Sequence, residues 1–258
     1  MKFLMVSSFL PSVLNFRGKL LEAIHAKGYE IHICAPDLTE FPQELAQLKN
    51  MGYQVHSVPM QRTGTNPIQD LKTLLALVAL MRHIQPDYVL SYTIKPVIYG
   101  TFAARLAQVP HSFALITGLG YAFQNVESGK RSIFQKMVHH LYAQALKFAD
   151  KVFFQNPDDL KLFHDMHLLD AKKPAVVVNG SGVNVQDFDV MPLPENDEGE
   201  AKASFLLIAR LLGDKGVREY AEAARIVKAK HPDAEFHLVG WIDDNPSAIS
   251  QAELDAWV

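Results

Sequence analysis

KFLMVSSFLPSVLNFRGKLLEAIHAKGYEIHICAP, residues 2–36, decides the architecture. A short apolar run, Lys2–Ser8, leads into a loop containing Pro11. A helix-like segment, Leu14–Lys27, ends at Gly28, which suits a left-handed C-cap. A second strand-like run, Tyr29–Ala35, closes at Pro36. Apolar runs without alternation fit strands buried on both faces, the mark of a parallel sheet. The opening lysine and apolar run mimic a short signal peptide, but no small-residue cleavage site follows. The run is therefore read as a first buried strand.

The alternation continues outward. Helix-like segments are expected at Glu40–Asn50, Pro67–Ile84, Val97–Gln108, Ser128–Phe148 and Pro157–His167. Strand-like segments are expected at Tyr53–Val58, Asp87–Tyr92, His111–Ile116, Lys151–Gln155 and Ala175–Val178. Strands alternating with helices predict an α/β fold with a doubly wound parallel sheet. Ligands in such sheets bind at the carboxyl ends of the strands, so the loops that follow strands matter most.

Asn184–Lys202, with MPLPENDEGEAK at its end, breaks the pattern and reads as a linker. The pattern then restarts: strand Ser204–Ala209, loop Arg210–Gly216, helix Val217–Lys230, strand Glu235–Val239. Two strands are too few for a complete doubly wound domain. The expectation is one complete domain over residues 1–185 and the first part of a second over 186–258.

Composition is that of an ordinary globular protein, 48% hydrophobic and 21% charged. A net charge of −3 gives no reason to expect nucleic acid as a partner. The lone cysteine, Cys34, excludes an internal disulfide and fits a reducing compartment. Leu74–Met81 is the longest charge-free apolar stretch in the middle of the chain, far short of the ~20 residues a bilayer requires. A cytoplasmic location follows as the expectation, with a membrane surface left open as a resting place.

LLIARLLGDKG, residues 206–216, carries the most chemistry. Arg210 ends a strand, Lys215 stands five residues later, and Gly216 turns into a helix. A helix N-terminus attracts anions, and Arg and Lys beside it make a diphosphate cradle. Spacing alone favours an ordinary solvated loop, since Arg and Lys are common on loops. Residues 209–240, ARLLGDKGVREYAEAARIVKAKHPDAEFHLVG, resemble the start of the donor domain of family 4 glycosyltransferases. That family's R-L-x-x-x-K-G pattern is matched by Arg210, Leu211, Lys215 and Gly216. NGSGVNVQDF, residues 179–188, resembles its domain-crossing segment, with Asn184 where the family usually has Asp. Asn15-Phe16-Arg17, RTGTNP (62–67), SYTIKPVIYG (91–100) and ITGLGYAF (116–123) are similar to one bacterial branch. That branch adds an N-acetylhexosamine, often GalNAc, to a polyprenyl-diphosphate-linked sugar.

The resemblance implies a two-domain GT-B fold and retaining transfer of a hexosamine from a UDP-sugar to a lipid-linked saccharide. It implies Arg210 and Lys215 as catalytic and, with Gly216, donor-diphosphate-binding residues. It points to Asn15, Arg17, Lys95, Thr117, Gly118 and Gly120 for the acceptor. Arg17 is read either as a phosphate ligand or as a helix-surface arginine, and Lys95 as an anion partner or a loop lysine. Gly118 and Gly120 admit a ligand's close approach or simply make a tight turn. Thr117 stands near where many members place a catalytic His, so no acceptor base is assigned. The family's paired glutamates are not found in these residues, so the chain alone is expected to be inactive. No metal or other cofactor is expected, since the UDP-sugar is a substrate. The basic segment Lys130–Lys151 reads either as a membrane-resting helix or as a surface helix with its apolar face in the core. His164 and His167 are three apart without a third ligand, so a metal site is not expected. No complete dinucleotide fingerprint and no G-x-S-x-G are present. A non-catalytic acceptor-binding subunit and a GT-B sugar-nucleotide epimerase are the rival readings.

Overall fold

The structure is a computed structural model describing residues 1–61, 66–119, 123, 129–192, 199, 203–242 and 247–257, with only the backbone described over 129–134. It divides into two compact units, Met1–Val183 and Asn184–Val258.

Unit 1 contains β1 (Lys2–Val6), α1 (Pro11–His25), β2 (Glu30–Ala35), α2 (Pro42–Asn50), β3 (Gln54–Ser57), α3 (Pro67–Ile84) and β4 (Tyr88–Tyr92). A π-helical turn (Pro96–Gly100) leads into α4 (Thr101–Leu106), followed by β5 (His111–Ile116), α5 (Gly129–Leu146), β6 (Lys151–Phe154), α6 (Pro157–Asp165) and β7 (Ala175–Val177). The seven strands are all parallel, in the order β3-β2-β1-β4-β5-β6-β7. The order reverses between β1 and β4, and that point positions the site.

Successive strand residues face opposite layers. Phe3, Met5, Ile31 and Ile33 pack against Leu10, Val13 and Leu21 of the α1 segment and Leu48 of α2. Leu4, Val6, Cys34 and Val89 pack against Leu77, Val78 and Met81 of α3 and Ala103 of α4. Ala114, Ile116, Val152 and Phe154 pack against Val138 and Tyr142 of α5 and Phe163 of α6. Each fully buried aliphatic or Phe side chain contributes roughly 1.5–3 kcal/mol, so both faces stabilise the sheet. Cys34 is fully buried in β2, and burial pushes its thiol up to about 12.

Two segments depart from the sequence reading. Pro11, expected in a loop, is the first residue of α1, so the helix starts three residues before Leu14. Proline suits that position, because the first N–H has no partner in the helix and φ is already helical. The single helix expected over Val97–Gln108 is a π-helical turn followed by a short α-helix. Gly100 lies against β4 so closely that a Cβ there would collide with Ser91 Oγ.

Unit 2 holds a parallel pair, β8 (Ser204–Ile208) and β9 (Glu235–Val239), with α7 (Val217–Lys228) and α8 (Gln251–Asp255). Its core cluster is small: Leu211, Val217 and Ile249, flanked by Leu207, Leu238 and Leu254.

Candidate functional site

In unit 1 the hydroxyl-rich stretch after β1 meets the end of β4. Tyr92, the last residue of β4, is buried, and its hydroxyl lies 2.8 Å from Ser7 Oγ and 2.7 Å from Ser12 Oγ. Ser12 Oγ lies 2.6 Å from the Phe9 carbonyl. Ser7 Oγ also donates to the Phe9 carbonyl, at 3.0 Å, so both serine protons go to that carbonyl and the Tyr92 O–H donates to one of the two serine oxygens. Burial raises the Tyr92 pKa, which keeps the phenol protonated for this role. Beside the cluster, Ser8 Oγ and Thr93 Oγ1 are 3.1 Å apart. Thr93 has φ 69, a costly conformation for a β-branched residue, and such strain gathers at functional sites.

Arg17 lies neither in the loop before the helix nor on the helix surface. It lies in the body of α1 and is only 5% exposed, because its guanidinium turns inward over the Tyr92 ring, 5.0 Å from the centroid. Nη1 donates to Ser181 Oγ at 2.8 Å and to the Phe16 carbonyl at 3.0 Å. Nε is buried with no hydrogen-bond partner among the described residues. Burial lowers the Arg17 pKa, and the Tyr92 phenol works in the opposite direction. Ser181 Oγ also accepts from Gln155 Nε2 at 3.1 Å. Sequence reading missed Ser7, Ser12, Tyr92 and Ser181. Arg17 and Ser181 are 164 positions apart, and no local spacing links them.

The other candidates in unit 1 are placed as follows. Lys95 pairs with Asp70 at 2.7 Å, with the two side chains 13% and 15% exposed, so its charge already has a partner in the first turn of α3. Asn15 is exposed on α1. Thr117 is half-buried after β5, and Gly118 follows at φ 145. Gly120 and the segment 62–65 lie outside the described residues. The apolar face of the basic helix is packed inward: Val138, Tyr142 and Leu146 of α5 are buried in the core. Among the described residues no group of three His, Cys, Asp or Glu could hold a metal. No described helix is long and apolar enough to cross a membrane.

In unit 2 Arg210 lies two residues past the end of β8, and Lys215 ends a 3-10 turn, Gly213–Lys215. Lys215 Nζ is 3.7 Å from Asp214 Oδ2 and its side chain is 44% exposed. Gly216 is the N-cap of α7 at φ 72, with no side-chain cap over the first turn. Two cations and an uncapped helix start thus occur within seven residues of one another, which suits a phosphate-bearing ligand.

The family described as glycosyl transferase 4-like matches residues 10–156. The chain is 30% identical over 251 residues to a Campylobacter jejuni N,N'-diacetylbacillosaminyl-diphospho-undecaprenol alpha-1,3-N-acetylgalactosaminyltransferase, covering 93% of this chain and 63% of that protein. It is 28% identical over 195 residues to an Escherichia coli UDP-Gal:alpha-D-GlcNAc-diphosphoundecaprenol alpha-1,3-galactosyltransferase, covering 71% and 48%. The chain therefore spans about half to two thirds of these curated relatives. A solved glycosyltransferase from Rickettsia africae has TM-score 0.62 at 17% identity, covering 99% of this chain and 63% of that one. A UDP-GlcNAc 2-epimerase from Neisseria meningitidis bound to UDP-GlcNAc has TM-score 0.58 at 13% identity, covering 95% and 66%. At such identities the likeness speaks to the fold, which is the α/β, GT-B-type architecture expected from the sequence.

Proposed function

The chain belongs to the glycosyl transferase 4-like family, and from that premise we propose that the protein transfers a hexosamine of the N-acetylgalactosamine type. The donor is a UDP-sugar, the acceptor a saccharide on a polyprenyl diphosphate, and the anomeric configuration is retained. The observation that carries this reading is the 30% identity, along 93% of the chain, to an enzyme named for that kind of transfer.

In this reading unit 2 binds the donor. The bond between the sugar C1 and the diphosphate oxygen breaks, and a bond from C1 to the acceptor oxygen forms. The acceptor proton passes to the departing phosphate, and UDP leaves. Arg210 and Lys215 stabilise the charge that grows on the diphosphate, and Gly216 opens the helix whose first N–H groups assist. Unit 1 binds the acceptor through the segments that hold Asn15, Arg17, Lys95, Thr117, Gly118 and Gly120. A polyprenyl anchor would draw the protein to the inner face of the cell membrane as a peripheral protein.

The test is transfer of label from UDP-GalNAc to a short-chain polyprenyl-diphosphate sugar by the full-length gene product. Arg210→Ala and Lys215→Ala are each expected to lower kcat on the order of 100-fold. Unchanged kcat in both variants, or no transfer to the lipid-linked acceptor, would remove the reading.

A further inference from the structure

We propose that Ser181 is the contact donor of an oxyanion site built wholly within unit 1, that Arg17 is the buried charge behind it, and that Tyr92 is the positioning residue that seats Arg17. The ligand is a phosphate or diphosphate group, and the inference rests on the reading above only for that choice of oxyanion.

Buried arginines are ordinarily matched by a carboxylate. Among the described residues Arg17 has none: its partners are the Phe16 carbonyl and the Ser181 hydroxyl, and its Nε has no partner. The fold nevertheless holds the guanidinium in one place. The Tyr92 ring supports it from beneath, and the Tyr92 hydroxyl is itself fixed by Ser7 and Ser12. Those residues follow β1 and end β4, so the seat sits where the strand order reverses.

Ser181 supplies the outward contact. Its oxygen accepts from Arg17 Nη1 and from Gln155 Nε2. An oxygen that accepts twice still has its own O–H to donate, and none of the described residues takes that proton. A hydroxyl that accepts from a cation is polarised into a stronger donor. Arg17 is 5% exposed whereas Ser181 is exposed, so the charge lies one hydrogen bond behind the surface and reaches the ligand through Ser181. Gly180 and Gly182, at φ 67 and 70, place the left-handed turns on either side of Ser181 that present it. An anionic ligand completes this arrangement, since it takes the free proton and offsets the unpaired charge.

The experiment is calorimetric titration of the Arg210→Ala, Lys215→Ala protein, in which the proposed unit 2 site is silenced. The probes are pyrophosphate, UDP and farnesyl diphosphate. Pyrophosphate is expected to bind, and Ser181→Ala to weaken it about 10-fold or more, as loss of a hydrogen bond to a charged group does. Arg17→Met should weaken it further and flatten its salt dependence, which a merely structural role would not do. Tyr92→Phe keeps the ring and should cost less than Tyr92→Leu. If Ser181→Ala weakens farnesyl diphosphate but not UDP, the ligand is the lipid diphosphate; the reverse assigns the nucleotide. Equal affinity of folded Ser181→Ala and its parent for all three probes overturns the proposal, even if Arg17→Met fails to fold. Pyrophosphate binding that depends on Ser181, when the parent protein with Arg210 and Lys215 intact transfers no sugar, keeps this site and discards the transferase reading.

Discussion

His32 and His56 show what single residues set. His32 is buried in β2, with Nδ1 3.0 Å from His56 Nε2 and Nε2 3.0 Å from Glu30 Oε1. Burial lowers both imidazoles below their usual 6.5; Glu30 resists this for His32, while Lys2, and His83 beside His56, reinforce it. The folded protein therefore binds fewer protons here than the unfolded chain. Stability is full above about pH 6.5 and falls as pH drops through that value. Urea midpoints should be lower at about pH 5.5 than at about pH 7.5, and His32→Asn should reduce the difference. Candidate site residues were legible in the sequence only where chemistry and chain position coincide. Arg210, Lys215 and Gly216 fall within one loop and were readable as a group. Arg17 was legible as a cation but not as a buried one, because Tyr92 and Ser181 stand far from it in sequence. Lys95 was legible as a loop lysine, but its Asp70 partner lies 25 positions back.

At the scale of elements, patterning located most strands and helices. α3, β5 and β9 span the residues expected, since apolar periodicity, Pro67 and flanking polar turns all agree there. It failed where packing between elements decides, as at the π-helical turn after β4. Gly100 is there because Ser91 leaves no room for a Cβ. Gly100→Ala should destabilise unit 1 by about 1–3 kcal/mol, the usual cost of overpacking. Ser91 Oγ is buried with no hydrogen-bond partner among the described residues, so Ser91→Ala alone should be neutral or stabilising. The double variant should recover most of the loss, because the closest clashing atom is gone. Thermal melts of the three proteins check this, and a double variant no better than Gly100→Ala would contradict the contact.

Across the whole molecule the two units differ in what holds them. Unit 1 has three core clusters on the two faces of a seven-stranded sheet. Among the described residues unit 2 has one small cluster on a two-stranded sheet, and Leu206, Ile208 and Val239 are 58%, 71% and 53% exposed. Residues 1–183 expressed alone should melt cooperatively, whereas residues 184–258 alone should not. Circular dichroism on the two pieces checks this; a cooperative melt of the smaller piece would refute it. The acidic, proline-containing stretch before Ser204 was readable as a linker from composition alone. Cys34, sealed in β2 and the only thiol, gives the larger unit a built-in clock. A thiol-reactive dye can reach it only when that sheet opens, so the labelling rate counts openings of unit 1 alone. Both tryptophans, Trp241 and Trp257, lie in unit 2, so its fluorescence follows the other half. One unmodified sample thus carries a separate reporter for each half of the chain.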